Sequence, residues 1–471
     1  MGRHPRRVVA LVIAGLLATA CGARVTDQQV QSLRGTSTGA SAADTQTGGP
    51  TASAEQSVTP LPGASGDAAG PAAATPGVTT AAAAPADGNG GATDVGVTAS
   101  TMTLGNVTTL SGPIPGLFAG AVVGTQAVIA YQNSLGGMFG RTFKLDARDD
   151  QFDTGQNRAQ TEDLVNKVFA IVGSFSVFDD ASIEAMDKAG IPDVSAGVSG
   201  ARRRMANNFS PSSQKDGGAP LAPFNYYKGR FPEEIKAVGT LYGDVPASKA
   251  AQVAYKEAAA SVGWNFLYDR GYAATETDFT ADVVRMRQSG VKLVFLATSE
   301  TKTLARITKA MKQQNFDVPI VTNAIGYEQQ LVTLGGDSVE GMYATLVYTM
   351  FAGEDAGRTP EVKLMNQWMQ KIKPGYSPDV YALLGWASGR LFFSALQKAG
   401  PRATRAQVND ALRKIGPFDS NGLLAPSNPG TKAPATCIVI VQLRHGHYER
   451  VDTPASGFRC DLGGYYTPPG G

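Results

Sequence analysis

Residues 291–297 read VKLVFLA, apolar but for one lysine, between two stretches, 279–289 and 301–314, that read as helices. A short apolar run between helices is the pattern of a strand in a parallel sheet, where helices cover both faces and leave no wet side. Working outward, residues 237–241 (AVGTL), 264–268 and 319–322 read as further strands, and 247–262 (ASKAAQVAYKEAAASV) as a helix. Nearer the N-terminus a second unit of the same kind appears. Its strands are 101–107 (TMTLGNV), 141–148 (RTFKLDAR), 169–173 (FAIVG) and 191–194, and its helices are 117–133, 153–168 and 181–189. Two consecutive β-α-β units predict an α/β fold of two doubly wound parallel-sheet lobes rather than one large sheet. Helices at 380–398 and 407–415 and a hairpin over 437–443 and 448–451 follow.

The chain has 471 residues, 42% of them hydrophobic. That is enough for more than one core, since single cores stop growing near ~250–300 residues. A formal net charge of +2 gives no reason to expect nucleic acid or another polyanion as partner. The N-terminus carries Arg3, Arg6 and Arg7, an apolar run over residues 8–17, and Ala18-Thr19-Ala20 before Cys21. This is the order of an export signal with a small-residue cleavage site, and the run is too short for the ~20 residues that span a bilayer. The segment resembles a bacterial lipoprotein signal, with Ala18 where leucine is usual. The resemblance implies a signal peptide over 1–20, lipidation of Cys21 and anchoring at the outer face of the cytoplasmic membrane. From about Gly35 to Thr93 the composition shifts to Ala, Gly, Thr, Ser and Pro. Such a segment buries too little to offset its ordering entropy, so 21–93 is expected to be a disordered tether reaching roughly 40–45 Å. Setting Cys21 aside leaves Cys437 and Cys460, expected to pair as a disulfide outside the cytoplasm, with two free buried thiols as the alternative.

The chemical inventory is poor. No Gly-x-Ser-x-Gly elbow, no Gly-x-x-x-x-Gly-Lys-Ser/Thr loop and no Gly-x-Gly-x-x-Gly after the first strand is present. The histidines are His4, His445 and His447, so the main body has no histidine base. His445 and His447 flank Gly446 in a hairpin turn and lack a third metal ligand. Asp149-Asp150 and Asp179-Asp180 sit at strand ends and helix starts, where acids serve as caps and dipole partners. Arg202-Arg203-Arg204 reads as a solvated run. No catalytic residue, metal or cofactor is expected.

Short stretches along the body are similar to the type I solute-binding proteins of ABC importers, in the leucine/isoleucine/valine-binding group. They are Leu110-Ser111-Gly112-Pro113, Gly136-Gly137-Met138-Phe139-Gly140, Asp149-Asp150, Ile171-Val172-Gly173, Ala189-Gly190-Ile191-Pro192, Asp278-Phe279-Thr280, Val339-Glu340-Gly341 and Gly416-Pro417-Phe418-Asp419. Their order carries the resemblance from Met102 to about Val451. It implies a type I periplasmic-binding-protein-like fold whose lobes are joined by three crossing segments, near Asp216, Tyr348 and Gly416. Lobe 1 would then be 94–215 plus 349–415, and lobe 2 would be 216–348 plus 416–471. The implied function is capture of a small-molecule ligand, as a monomer, for an ABC permease. A ligand sensor reporting to a membrane receptor is the alternative.

Carried over by position, the resemblance places ligand contacts on strand-to-helix loops: Ser111 and Phe118, then Ser174, Ser176 and Phe178, then Gly197 and Ser199. Val177 stands where a binding serine would fall. In lobe 2 the positions are Ser299, Asn323 and Tyr327. There the loop after residue 319 lacks the glutamate that would hold an amino group. An ammonium buried without a carboxylate is costly, so a plain branched-chain amino acid is not the expected ligand.

Overall fold

The computed structural model describes residues 82–83, 86–215, 217–297, 299–351, 355 and 357–468. The signal segment, Cys21, most of the tether, Asp216 and Thr298 lie outside the described residues. Two sheets form where the sequence alternates strand and helix. In the first, β1 (Thr101–Thr108), β2 (Thr142–Asp149), β3 (Ala170–Val172) and β4 (Asp193–Val194) are all parallel, in the order β2-β1-β3-β4. Helices α1 (Ala119–Ser134), α2 (Thr154–Leu164), α3 (Ile183–Lys188) and α4 (Gly200–Arg204) follow these strands in turn. Next in sequence come the two-residue strand β5 (Ala219–Pro220) and α5 (Ala222–Arg230).

The second sheet repeats the arrangement. β6 (Val238–Gly243), β7 (Phe266–Tyr272), β8 (Leu293–Phe295), β9 (Ile320–Thr322) and β10 (Tyr343–Leu346) stand parallel in the order β7-β6-β8-β9-β10. Between them run α6 (Pro246–Ser261), α7 (Thr280–Gln288), α8 (Thr301–Gln313) and α9 (Gln329–Gly335). The chain then returns to the first lobe. There α10 (Pro360–Ile372) and α11 (Val380–Ala399) pack on α1, and α12 (Arg405–Arg413) packs on α11. It ends with β11 (Val439–Arg444) antiparallel to β10, β12 (His447–Arg450) antiparallel to β11, and β13 (Tyr465–Tyr466) paired with β5.

The three passages between the sheets meet. Thr349 N–H donates to Leu423 O at 2.9 Å, and Ala425 N–H donates to Val347 O at 2.8 Å. Ser213 N–H donates to Ser427 Oγ at 3.2 Å, and that hydroxyl donates to Pro211 O at 3.3 Å. Residues 423–427, beyond Gly416, make these contacts with both other segments.

Three departures from the sequence reading have physical reasons. β10 is four buried residues with neither alternation nor length to mark it. α5 and α10 both carry proline in their first turn, a helix-start signal that the reading passed over. Residues 86–93, counted with the tether, are tied to the body. The buried Arg141 donates to Asn89 O and Gly91 O at 2.7 and 2.8 Å, while Thr93 Oγ1 donates to Ala403 O at 2.7 Å.

α1 and α11 approach closely because their seam is glycine. A Cβ on Gly124 would stand 1.9 Å from Ala382 O, and one on Gly385 would stand 2.3 Å from Ala121 O. On α11 the buried Trp386 donates from Nε1 to Glu361 at 2.7 Å, and Arg390 pairs with the same buried carboxylate at 3.0 Å. Cys437 and Cys460 form a disulfide beside β11, where Ile438 and Arg459 exchange backbone hydrogen bonds at 2.9 and 2.8 Å.

Candidate functional site

In both sheets the strand order reverses between the first two strands of the unit and the third, which opens a crevice outside their carboxyl ends. The crevices of the two sheets face one cavity of about 300 Å³. Its walls include the loops after β1, β3 and β4 on one side and after β6, β8 and β9 on the other.

The first-lobe wall is aromatic. Phe118, Phe175 and Tyr381 meet edge to face, with ring centroids 4.7 to 4.9 Å apart. Phe118 precedes α1 and Phe175 follows β3, while Tyr381 rides on the first turn of α11, which Asp379 caps. Phe152 also lines the cavity and stands on Phe178, which packs behind it at 5.2 Å.

The expected first-lobe ligand residues divide sharply. Phe118 and Gly197 line the cavity. Ser111, Ser174, Ser176, Phe178 and Ser199 are not on its wall, and the serine hydroxyls bond internal partners. Ser111 Oγ donates to Asp149 at 2.5 Å, and Ser174 Oγ accepts from Val107 N–H at 2.9 Å. Ser176 Oγ donates to Asp150 and accepts from Phe178 N–H at 3.0 Å. Ser199 caps α4, accepting from Arg202 N–H at 3.1 Å. Asp179 accepts from Val198 N–H at 2.7 Å and Ser199 N–H at 3.0 Å. Burial raises the Asp179 carboxyl, while the Arg202 charge and these hydrogen bonds work the other way. Burial also works to raise Asp149, but hydrogen bonds from Ser111, Gln151 and Leu110 prevail and hold it below its ordinary range. Asp149 and Asp179 thus serve as internal partners of nearby backbone N–H groups.

In the second lobe Ser299 and Asn323 line the cavity. Both are held by backbone: Ser299 Oγ donates to Leu241 O at 3.2 Å, and Asn323 Nδ2 donates to Ala297 O at 2.7 Å. Tyr327 does not line it. The turn over Ala324–Gly326 carries the ring into the core, where it meets Tyr448 at 4.6 Å and Phe351 at 5.3 Å.

Sequence reading missed Phe175, Tyr381, Arg203, Tyr255 and Glu300, all on the wall. Phe175 stood between two serines that drew attention, and Tyr381 belongs to a helix some 200 residues away in sequence from the loops it joins. Arg203 is not part of a solvated run. Its Nη1 donates to Val198 O at 2.8 Å and Gly197 O at 3.2 Å, and burial pulls its pKa below the usual guanidinium range. Glu300 caps α8, accepting from Lys302 N–H and Thr303 N–H at 2.7 Å each and from the Thr303 hydroxyl. Burial pushes the Tyr272 hydroxyl up to about 12. At pH 7 it is a neutral hydrogen-bonding group on the wall.

A periplasmic binding protein family model matches residues 101–447. Among curated proteins, a Leu/Ile/Val-binding protein homolog of Brucella abortus is 22% identical over 303 residues, covering 63% of this chain and 77% of that one. Among solved structures, a fatty acid ABC transporter substrate-binding protein from Thermomonospora curvata superposes with a TM-score of 0.67 at 20% identity. It covers 78% of this chain and 95% of its own. A branched-chain amino acid ABC transporter protein from Thermus thermophilus with bound valine gives 0.67 at 17%, covering 77% and 97%. With two parallel-sheet lobes around one cavity and a family match over most of the described residues, this chain belongs to the periplasmic binding protein family and has its type I fold.

Proposed function

We propose that the chain is an extracytoplasmic solute-binding protein that captures a small, largely apolar organic molecule and hands it to an ABC permease. The carrying observation is the cavity itself, lined from both sheets at the crevice where open α/β sheets bind ligands. The meeting of three chain passages at residues 211–213, 347–349 and 423–427 supports closure by hinge motion between lobes. Cys21 carries the lipid, residues 1–20 are removed, and the folded body works as a monomer on its tether. Glu300, Ser299 and Asn323 on the wall are engaged in a cap and loop bonds, which supports capture without turnover.

Native mass spectrometry of the chain as purified is expected to reveal a bound small molecule, unchanged on release. Turnover of that molecule, or a protein that binds none, would sink the reading. The anchor has its own test: Cys21→Ser is expected to move the protein from the membrane to the soluble fraction, and unchanged membrane partition would dismiss it.

A further inference from the structure

Among the described residues on the cavity wall, the charged side chains are Arg203, Asp244 and Glu300. Two of them have opposite charges beside them: Asp244 pairs with Lys249, and Arg203 has the Asp179 charge next to it. Glu300, half-buried on the loop after β8, pairs with no cation among the described residues. Its carboxylate meets neutral donors only, Lys302 N–H at Oε2 and the Thr303 N–H and hydroxyl at Oε1. A carboxylate has about four acceptor sites, so one is left, on Oε2. The α8 N-terminus offsets no more than about half a unit of its charge.

Thr303, Ser299, Tyr348 and Asn323, also on the wall, have spent their protons inside the protein. Thr303 Oγ1 donates to Glu300, Ser299 Oγ to Leu241 O at 3.2 Å, and Tyr348 Oη to Ala324 O at 2.9 Å. The Asn323 amide donates to Ala297 O at 2.7 Å and to the Tyr255 hydroxyl at 3.4 Å. What these groups still offer a solute is lone pairs, which suit a head that donates. Burial pushes the Tyr381 hydroxyl well above its ordinary value, and the Glu328, Asp379 and Glu300 charges add to the rise. The Tyr381 ring and the Glu300 carboxylate therefore border the same part of the cavity, and Phe118 and Phe175 extend that ring surface for an apolar body.

We propose that the solute is a small apolar amine, bound as its ammonium ion at Glu300 Oε2 with its body against the three first-lobe rings, and that it carries no α-carboxylate. This deepens the solute-binding reading and rests on it. The ammonium supplies both the donor and the charge that Glu300 lacks. An α-carboxylate would lie two bonds from that nitrogen, close to Glu300 and of like charge. The acid that the sequence does not place after β9 thus comes from the loop after β8, and Glu300 is the residue that sets specificity.

Three matched probes test it on the full chain by titration calorimetry at neutral pH: isopentylamine, isopentyl alcohol, and L-leucine, which is isopentylamine with an α-carboxylate. The amine is expected to bind roughly tenfold more tightly than either of the others. Glu300→Gln is expected to bring amine and alcohol level, whereas Glu300→Asp, which keeps the charge, retains part of the preference. If Glu300→Gln does not fold, the three-probe comparison on the parent chain still decides. Equal binding of amine and alcohol overturns the proposal, as does a preference that survives in a folded Glu300→Gln. Tighter binding of L-leucine also overturns it and leaves solute capture standing. If no probe binds the proposal falls, and native mass spectrometry then judges solute capture separately.

Discussion

Glu328 follows the β9 loop, 7% exposed, with Oε2 accepting from Thr301 Oγ1 at 2.5 Å. Burial pushes its carboxyl from 4.5 up to about 8, and the Asp379 and Glu300 charges add to the shift while the Thr301 bond opposes it. The folded chain therefore holds a proton that the unfolded chain gives up. Stability from this group is full below pH 4.5, declines as pH rises toward 8 and levels off beyond it. Glu328→Gln keeps the shape without the charge. It is expected to match the parent in acid and to exceed it at alkaline pH, by an amount on the order of a few kcal/mol. Urea unfolding across that range checks this; a gain independent of pH would contradict a buried protonated carboxyl. The same scale shows why the site was half legible in sequence. The types of Ser111, Ser176 and Ser199 fitted a polar site, but a hydroxyl serves whichever donor or acceptor is nearest. Asp149, Asp150 and the α4 N–H groups are nearest.

At the scale of elements, α1 and α11 are held by the absence of side chains at their contact. Gly124→Ala adds a helix-favouring methyl, worth up to ~1 kcal/mol. It also drives that methyl into the Ala382 carbonyl, which is backbone and cannot rotate away. Overpacking of this kind costs roughly 1–3 kcal/mol, so steric cost is expected to win and the variant to lose stability. Gly229→Ala in α5 is the control, because a Cβ there meets nothing within 4 Å. It is expected to be neutral or slightly stabilising in the same denaturation series. Equal behaviour of the two would argue against the close seam. The Cys437–Cys460 disulfide closes a segment spanning 23 positions at the sheet edge. Replacing both cysteines with serine is expected to cost about 3 kcal/mol, with the helix and strand signals of circular dichroism retained. Loss of those signals would mean that the tail is needed for folding of the lobes.

At the scale of the whole molecule, the two sheets carry matching strand orders and share one cavity, so ligand binding and lobe geometry are coupled. A bound solute at 100 times its dissociation constant is expected to stabilise the chain by about 2.7 kcal/mol. It is also expected to reduce the radius of gyration seen by X-ray scattering, as closure draws the lobes together. Stabilisation with no change in radius would mean capture in a rigid cavity and no hinge.

The alternation of short apolar runs with helical stretches, from residues 101–107 to 319–322, was by itself enough to establish two α/β lobes. Backbone hydrogen bonding and helix-covered faces leave a parallel sheet few other sequence patterns. The sequence also put Asn323, not an acid, directly after the β9 strand. Tertiary structure decided which polar groups reach the cavity. It alone joined Tyr381, from a helix returning after the second sheet, to Phe118 and Phe175. It turned Tyr327 into the core and set Arg203 on the wall. Periodicity reports which face of an element is buried, whereas a site depends on which distant loops share a space and which hydrogen-bond partners are already taken.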